Sequence, residues 1–484
     1  MTTAETLFPS RPAPWPQVGL RAEIGRLHRE AGRRFVVLDD DPTGSQCVHG
    51  VDVLLDPDMR LDASLAEPGS TAFVLTNTRS MGVADAVRET ERAAAAVDAV
   101  RRRLDAPVTI ISRGDSTLRG HVMAEVATLG AAQRHNTGVG YDGVVVVPAY
   151  PEAGRFTVDD IHYAVVGGRP VPVGDTEFSR DASFSYAASN LRDYLAEKSG
   201  GTLSRESVVS LSLDQIRGGG PAAVADELSR VRGGTFVVVN ALDGADLDVV
   251  ALAMSQLTAS GMSFGCRCAP AFVPALIGLP RRGVLRADEL VSPPHRAAHG
   301  LVVVGSHVGL TTRQVAAAQA RGDLMSVELD VGLVGSPHEL ARHVASVVAH
   351  VTASLATTDV LLYTSRTLRR VDDPDASLAI ALGVSRAVTD VVHGASAARP
   401  AWVVAKGGIT SHDVAARGLG MRRGRIIGQL MPGMVSVFLP VVAHPEAVGM
   451  PYVVFAGNVG DEETLADVVD VLAGRRAQVD PPVR

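Results

Sequence analysis

Short runs of β-branched residues alternate with longer Ala-rich stretches along the chain, and this rhythm constrains the fold more than any other feature. The first run is Arg34 to Leu38. Ala72 to Leu75, Val108 to Ile111 and Val144 to Val147 follow, and Phe236 to Val239 comes after a longer polar excursion. Between the second and third runs lies Val83 to Leu104, rich in Ala, Val, Arg and Glu. It ends in three arginines, where helix C-termini favour cations. A further helix is expected near Ala222 to Val231. Strand–helix alternation of this kind predicts a parallel sheet. The rhythm restarts after residue 300. Strand-like runs are Leu301 to Val304, Val360 to Tyr363, Trp402 to Ala405, Val435 to Leu439 and Tyr452 to Phe455. Helix-like runs are Thr311 to Ala320, His338 to Leu355, Ala376 to Val392 and Glu463 to Leu472. The expected fold is α/β in two domains, each a mostly parallel sheet flanked by helices. The expected division is an arm and lead-in helix at 1–33, a first domain at 34–280, a linker at 281–299 marked by Pro293 and Pro294, a second domain at 300–475 and a tail at 476–484.

At 484 residues the chain exceeds what one hydrophobic core ordinarily holds. Hydrophobic residues make up 46% and charged residues 20%, which is a globular balance. The net charge of -7, with no basic stripe, argues against a nucleic-acid partner. No apolar run approaches the length of a membrane span. Cys47, Cys266 and Cys268 close no disulfide framework, and no second pair accompanies Cys266 and Cys268 as a zinc site would need. A reducing, cytoplasmic setting and no protein metal site are therefore expected. The Pro-rich segment Met1 to Gln17 lacks an apolar h-region and reads as a surface arm rather than a signal peptide. Oligomeric state is left open, a homo-oligomer included.

In an open parallel sheet, ligands bind beyond the carboxyl ends of the strands, so the residues after each apolar run carry the information. In the first half these are Asp39-Asp40-Asp41-Pro42-Thr43-Gly44, Thr76-Asn77-Thr78-Arg79, Ser112-Arg113-Gly114-Asp115-Ser116-Thr117-Leu118-Arg119-Gly120, and Pro148 to Arg155. Acids, hydroxyls and arginines would converge on one rim. Arginine grips carboxylate or phosphate bidentately, and aspartate orients or deprotonates a hydroxyl. A polar, anionic substrate is expected. In the second half the tips are Gly305-Ser306-His307, Lys406-Gly407-Gly408-Ile409-Thr410 and Ala456-Gly457-Asn458-Val459-Gly460. Glycines let backbone N–H groups approach phosphate, and Gly407 to Thr410 is expected to precede a helix over Ser411 to Arg417. Gly138 to Gly143 matches G-x-G-x-x-G but precedes a strand, so it does not fit a dinucleotide fingerprint.

Taken in order, DDPTG, TNTRS, RGDSTLRG, PAYPEAGR, TEFSRD, GSHVGLTTRQ, KGGIT, MPGM and AGNVGD resemble the four-carbon acid sugar kinase family, over roughly Phe35 to Asp461. The resemblance implies a sugar-binding N-terminal domain, a nucleotide-binding C-terminal domain, and phosphorylation of a sugar acid such as a threonate, erythronate or 3-oxo-tetronate by ATP with Mg²⁺ carried mainly by the nucleotide. Carried over by position, Asp40, Arg79 and Arg113 to Ser116 would contact the sugar acid, joined by Arg119 and Arg155. Ser306, Gly407, Gly408, Ile409, Thr410 and Gly457 would contact ATP. The sequence departs from the family at Arg113, where lysine is common, at His307, and at Ile409, where an acid is common. Asp40, Asp41 or Asp115 is expected to take the hydroxyl proton, with Asp40 preferred. Strand alternation predicts that Asp39, Asp40 and Asp41 do not all serve one group. The alternatives are a sugar-phosphate isomerase or lyase, or an inactive ligand-binding regulator of the same fold.

Overall fold

The computed structural model describes residues 4–41, 44, 47–56, 61–290, 296–306, 309–366, 374–431, 433–457 and 459–479. Contacts divide the chain into two compact units between Arg281 and Arg282.

The first unit holds β1 (Arg34–Asp39), β2 (Val51–Leu54), β3 (Thr71–Leu75), β4 (Val108–Arg113), β5 (Gly143–Val147), β6 (Arg155–Val158), β7 (Ile161–Val166), β8 (Arg169–Pro172), β9 (Val209–Leu211), β10 (Thr235–Val239) and β11 (Phe264–Cys268). Among the described residues its sheet runs β2-β3-β1-β4-β11-β5-β10-β9, and every pairing in it is parallel. Strands β6, β7 and β8 form a separate antiparallel sheet. Alternation sends Val36 and Leu38 of β1 to one face, where they pack with Ala93, Ala94 and Val97 of the helix Val83–Leu104. On the other face Phe35 meets His28 of the helix Leu20–Glu30, ring to ring at 4.7 Å. Both faces are thus covered, the setting in which parallel sheets are stable. The helix Val83–Leu104 is built of strong helix formers and ends at Asp105 in a left-handed cap, with Arg101 held to Asp98 at 2.8 Å in the last turn.

The second unit holds β12 (Leu301–Val304), β13 (Leu324–Leu329), β14 (Asp359–Thr364), β15 (Val403–Lys406), β16 (Arg423–Met431), β17 (Val435–Val442) and β18 (Tyr452–Phe455). Its order is β13-β14-β12-β15-β18-β17-β16, parallel as far as β18 and antiparallel at β17 and β16. Helices Gly309–Ala320, Pro337–Ser354, Pro374–Ala395 and Thr464–Leu472 accompany it. The fold is α/β, as expected. In both units the first strand has its third-made neighbour on one side and its fourth-made on the other (β3-β1-β4 and β14-β12-β15), so each has a switch point beside its first strand.

Several features differ from the expectation. The Pro-rich arm is laid against its own unit. Phe8 packs on Phe156 and Tyr163 at 5.8 and 5.1 Å, and Arg11 pairs with Asp159 at 2.7 Å. The stretch Gly408–Asp413 is already helical, so the second glycine of KGGIT opens the helix instead of preceding it. Gly143 opens β5, in line with the rejection of the Gly138 to Gly143 fingerprint. Pro42, Thr43, His307 and Asn458 lie outside the described residues. Among the described residues, no helix is long and apolar enough to cross a membrane.

Candidate functional site

The switch point of the first unit lies between the tips of β1 and β4, and three arginines and four aspartates from the expected tips meet there. Arg79, on the turn Thr78–Ser80 after β3, donates to Asp40 at 2.5 Å and Asp41 at 3.2 Å and lies 3.9 Å from Asp115. Burial disfavours its charge, but Asp40, Asp41 and Asp115 outweigh burial and hold the guanidinium well above its ordinary value. Arg113, at the end of β4, donates to Asp39 at 2.7 Å and Asp40 at 3.3 Å. Arg119 donates to Asp115 at 2.7 Å. Burial alone would raise the Asp115 carboxyl, yet Arg79 and Arg119 reverse this and hold it below the usual carboxylate range.

Burial differs sharply among these residues. The side chains of Asp40 and Arg113 are only 2% and 4% exposed. Asp40 accepts from three arginines, while Arg113 shares Nη1 between Asp39 and Asp40 and leaves its buried Nε without a hydrogen-bond partner among the described residues. They brace the site from beneath. Asp41, at 25%, is the most open of the three consecutive aspartates. The three also do not separate to opposite faces. β1 ends at Asp39 and the chain bends at Asp40, so alternation stops where the acids begin, and Arg113 holds two of them. Asp39 is fully buried, and burial is the main reason its carboxyl is pushed up to about 7 despite Arg113.

Residues outside the expected set complete the network. Arg267, on β11, donates to Asp40 at 3.0 Å and to Ser112 Oγ at 2.9 Å, and pairs closely with Glu125. Glu125 accepts from Thr78 at 2.7 Å. The signal for Arg267 is an arginine inside the run FGCRC, but a charge in a short strand lowers the hydropathy by which a strand is found. Three glycines lie directly on this network. A Cβ on Gly44 would sit 2.1 Å from Arg113 Cζ, one on Gly114 2.2 Å from Arg267 Cζ, and one on Gly120 2.8 Å from an Arg267 nitrogen. The glycines of DPTG and RGDSTLRG therefore serve close backbone approach.

The loop 114–120 is fixed from the other side. His162 donates from Nε2 to the Ser116 carbonyl at 2.7 Å while its Nδ1 meets Thr157 Oγ1 at 2.9 Å. Tyr186 and Tyr194 donate to the next two carbonyls, Thr117 and Leu118, at 2.8 and 2.7 Å. Desolvation lowers His162 to about 4, so it is a neutral brace. Leu118 takes φ 67°, a left-handed conformation that these bonds hold in place. Arg155, at the start of β6, is joined to Arg119 through Phe178, whose ring centroid lies 5.5 Å from the Arg119 guanidinium and 5.4 Å from that of Arg155.

In the second unit the expected glycine tips follow adjacent parallel strands, β12, β15 and β18. A Cβ on Gly305 would meet Thr410 Oγ1 at 2.5 Å, and one on Gly407, whose φ is 115°, would meet Ser306 Cβ at 3.1 Å. Ser306, Gly407 and Thr410 therefore stand together, and Thr311 ties in the third tip by donating to the Gly457 carbonyl at 2.8 Å. Gly408 begins the helical turn, and Ile409 is 76% exposed on it. Arg366, after β14, donates to the Ser306 carbonyl at 2.8 Å and to Thr312 Oγ1 at 2.7 Å. Arg366 and Lys406 were not among the expected site residues.

Residues 35–276 match the family model described as a sugar-binding N-terminal domain, and residues 301–465 match that of a nucleotide-binding C-terminal domain. Among solved structures, the chain is similar to the Haemophilus influenzae protein HI1011, of the DUF1537 family model. The identity is 16% and the TM-score 0.63, over 90% of this chain and 99% of that one. It is also similar to a Salmonella typhimurium LT2 protein described provisionally as a tRNA synthase, at 16% identity and TM-score 0.68, over 89% and 98% of the two chains. At such identities the likeness is one of fold. No curated protein sequence matches the chain. With both domain models matched in order over most of its length, the chain belongs to the family that joins a sugar-binding N-terminal domain to a nucleotide-binding C-terminal domain, the four-carbon acid sugar kinase architecture.

Proposed function

We propose that the protein transfers the γ-phosphoryl group of ATP to a hydroxyl of a small sugar acid, a four-carbon acid such as threonate, erythronate or 3-oxo-tetronate. The observation that carries this reading is the pair of switch points. One is lined by arginines and aspartates suited to an anionic polyol, the other by glycine tips that let the hydroxyls of Ser306 and Thr410 and the backbone of three strand ends crowd together, a setting suited to phosphate. Arg79, Arg119 and Arg155 hold the carboxylate. Asp41 takes the proton as the hydroxyl oxygen bonds to phosphorus and the bond to ADP breaks. Asp41 is preferred over Asp40 because it is the more open carboxylate, and over Asp115 because two arginines hold that group as a weak base. Asp40, Arg113 and Ser116 position the loop and its charges from within.

ATP fits the second unit because the Gly305, Gly407 and Thr410 cradle is one that any side chain at either glycine would fill. Ser306, Gly407, Gly408, Ile409, Thr410 and Gly457 are proposed to hold it. The side chains at this cradle are hydroxyls, Ser306, Thr311 and Thr410, which suits a magnesium ion carried by the phosphates themselves. Such catalysis is mainly positioning and charge neutralisation, the work of the arginines here. The test is ADP release from MgATP across a panel of four-carbon sugar acids. Turnover with at least one acid and none without acceptor is expected. No acid-dependent turnover across the panel would overturn the reading.

A further inference from the structure

Lys406 is the last residue of β15 and is fully buried. Its Nζ donates to the Ala456 carbonyl at 2.7 Å and lies 3.7 Å from the centroid of the Phe455 ring. It thus ties the tip of β15 to the tip of β18, and the glycines of both tips, Gly407, Gly408 and Gly457, follow within two residues of these contacts. No carboxylate pairs with it among the described residues. The charged and titratable side chains on the surrounding elements are engaged elsewhere. Asp413 accepts from Ser385 and pairs with Arg417 at 2.5 Å. Tyr452 donates to the Ser411 carbonyl, and Arg366 to Ser306 and Thr312. Asp461 accepts from Thr464, and His412 has a partner of its own. Burial without a counter-ion lowers the Lys406 ammonium to about 6.

A buried amine with no acid beside it is poised to gain charge when an anion arrives. A nucleoside polyphosphate at the glycine tips is such an anion. We propose that Lys406 is a positioning residue of the nucleotide site, which takes up a proton as the phosphates bind and, pinned to Ala456 and Phe455, holds the β15 and β18 tips at the spacing the phosphates require. The inference rests on reading the second unit as the nucleotide half. The step balances simply: one proton passes from solvent to Nζ for each nucleotide bound, and no other bond changes. A ligand that favours the charged form of a group neutral in the free protein draws that proton by linkage.

The test is isothermal titration of the full-length protein with MgADP at pH 7.5 in buffers of different ionisation enthalpy, which counts protons independently of turnover. Wild type should take up close to one proton per nucleotide. Adenosine, which lacks phosphate, should drive none. Lys406→Met keeps the shape of the neutral side chain, and should bind MgADP about 5- to 150-fold more weakly with no proton uptake. A merely structural lysine would shift thermal stability and leave the proton count unchanged. Equal uptake in wild type and Lys406→Met, or no uptake by wild type with MgADP, overturns the inference while leaving the nucleotide assignment standing. No MgADP binding by wild type overturns the nucleotide assignment, and the inference with it.

Discussion

Asp40 and Asp41 are neighbours in sequence with opposite expected behaviour. Asp40 accepts from Arg79, Arg113 and Arg267 in a buried setting. Removing one partner of a buried ion pair typically costs about 3–5 kcal/mol, so Asp40→Asn should lower unfolding stability by an amount of that order. Asp41 is more open, and Asp41→Asn should keep the fold and lower kcat by about 10²–10⁴-fold. Urea titration and steady-state kinetics on both variants check this. A normal kcat for Asp41→Asn would remove it as the base. Arg267→Met should destabilise in the same way as Asp40→Asn, because Glu125 would lose its buried counter-charge and Asp40 one of its three arginines. Lys406 makes a separate prediction through pH. Its folded value is lowered from 10.5 to about 6, so between those values the unfolded chain binds the extra proton and stability rises with pH. Relative to Lys406→Met, wild type should gain up to about 1.4 kcal/mol per pH unit across that window. Parallel slopes for the two proteins at pH 7 to 9 would contradict it.

The loop 114–120 shows what an element adds to its residues. Its carbonyls are bound in succession by His162, Tyr186 and Tyr194, and its glycines rest on Arg267. Gly114→Ala should push Arg267 off Asp40 and raise the KM for the sugar acid tenfold or more, with MgADP affinity unchanged. A variant with a normal KM would show that the loop tolerates the displacement. The apolar strands of both sheets were legible in the sequence because Val-rich runs such as Gly143–Val147 have no other use than burial. β11 was not, since Arg267 interrupts it. β13, an outer strand, was hidden by its mixed pattern, and β16 by Gly424, Gly428 and the register shifts around them. At the site, the acids and arginines could be read from the strand tips. Which of them face a ligand could not, because burial of Asp40 and Arg113 depends on Arg267, Glu125 and three glycines drawn from distant segments.

At the scale of the whole molecule the assignment is a division of labour, and hydrogen exchange checks it. A sugar acid should slow exchange over 76–81 and 113–120. MgADP should slow it over 303–306, 405–411 and 455–457. Protection of 113–120 by MgADP as strong as that of the glycine tips would sink the division. The strand order of the first unit also has a consequence for how the chain is made. β11 lies between β4 and β5, yet it is the last strand of its unit in sequence. At about 5–20 residues per second, roughly 8–30 s of translation separate Arg113 from Phe264. Late in that interval, once β10 has been made beside β5 and β9, the nascent chain holds two half-sheets, each with an open parallel edge, the kind of edge that pairs with the wrong partner. Arg267 arrives on the same strand that closes the gap, so the ribosome delivers the joining strand and the last charge of the arginine–aspartate network together.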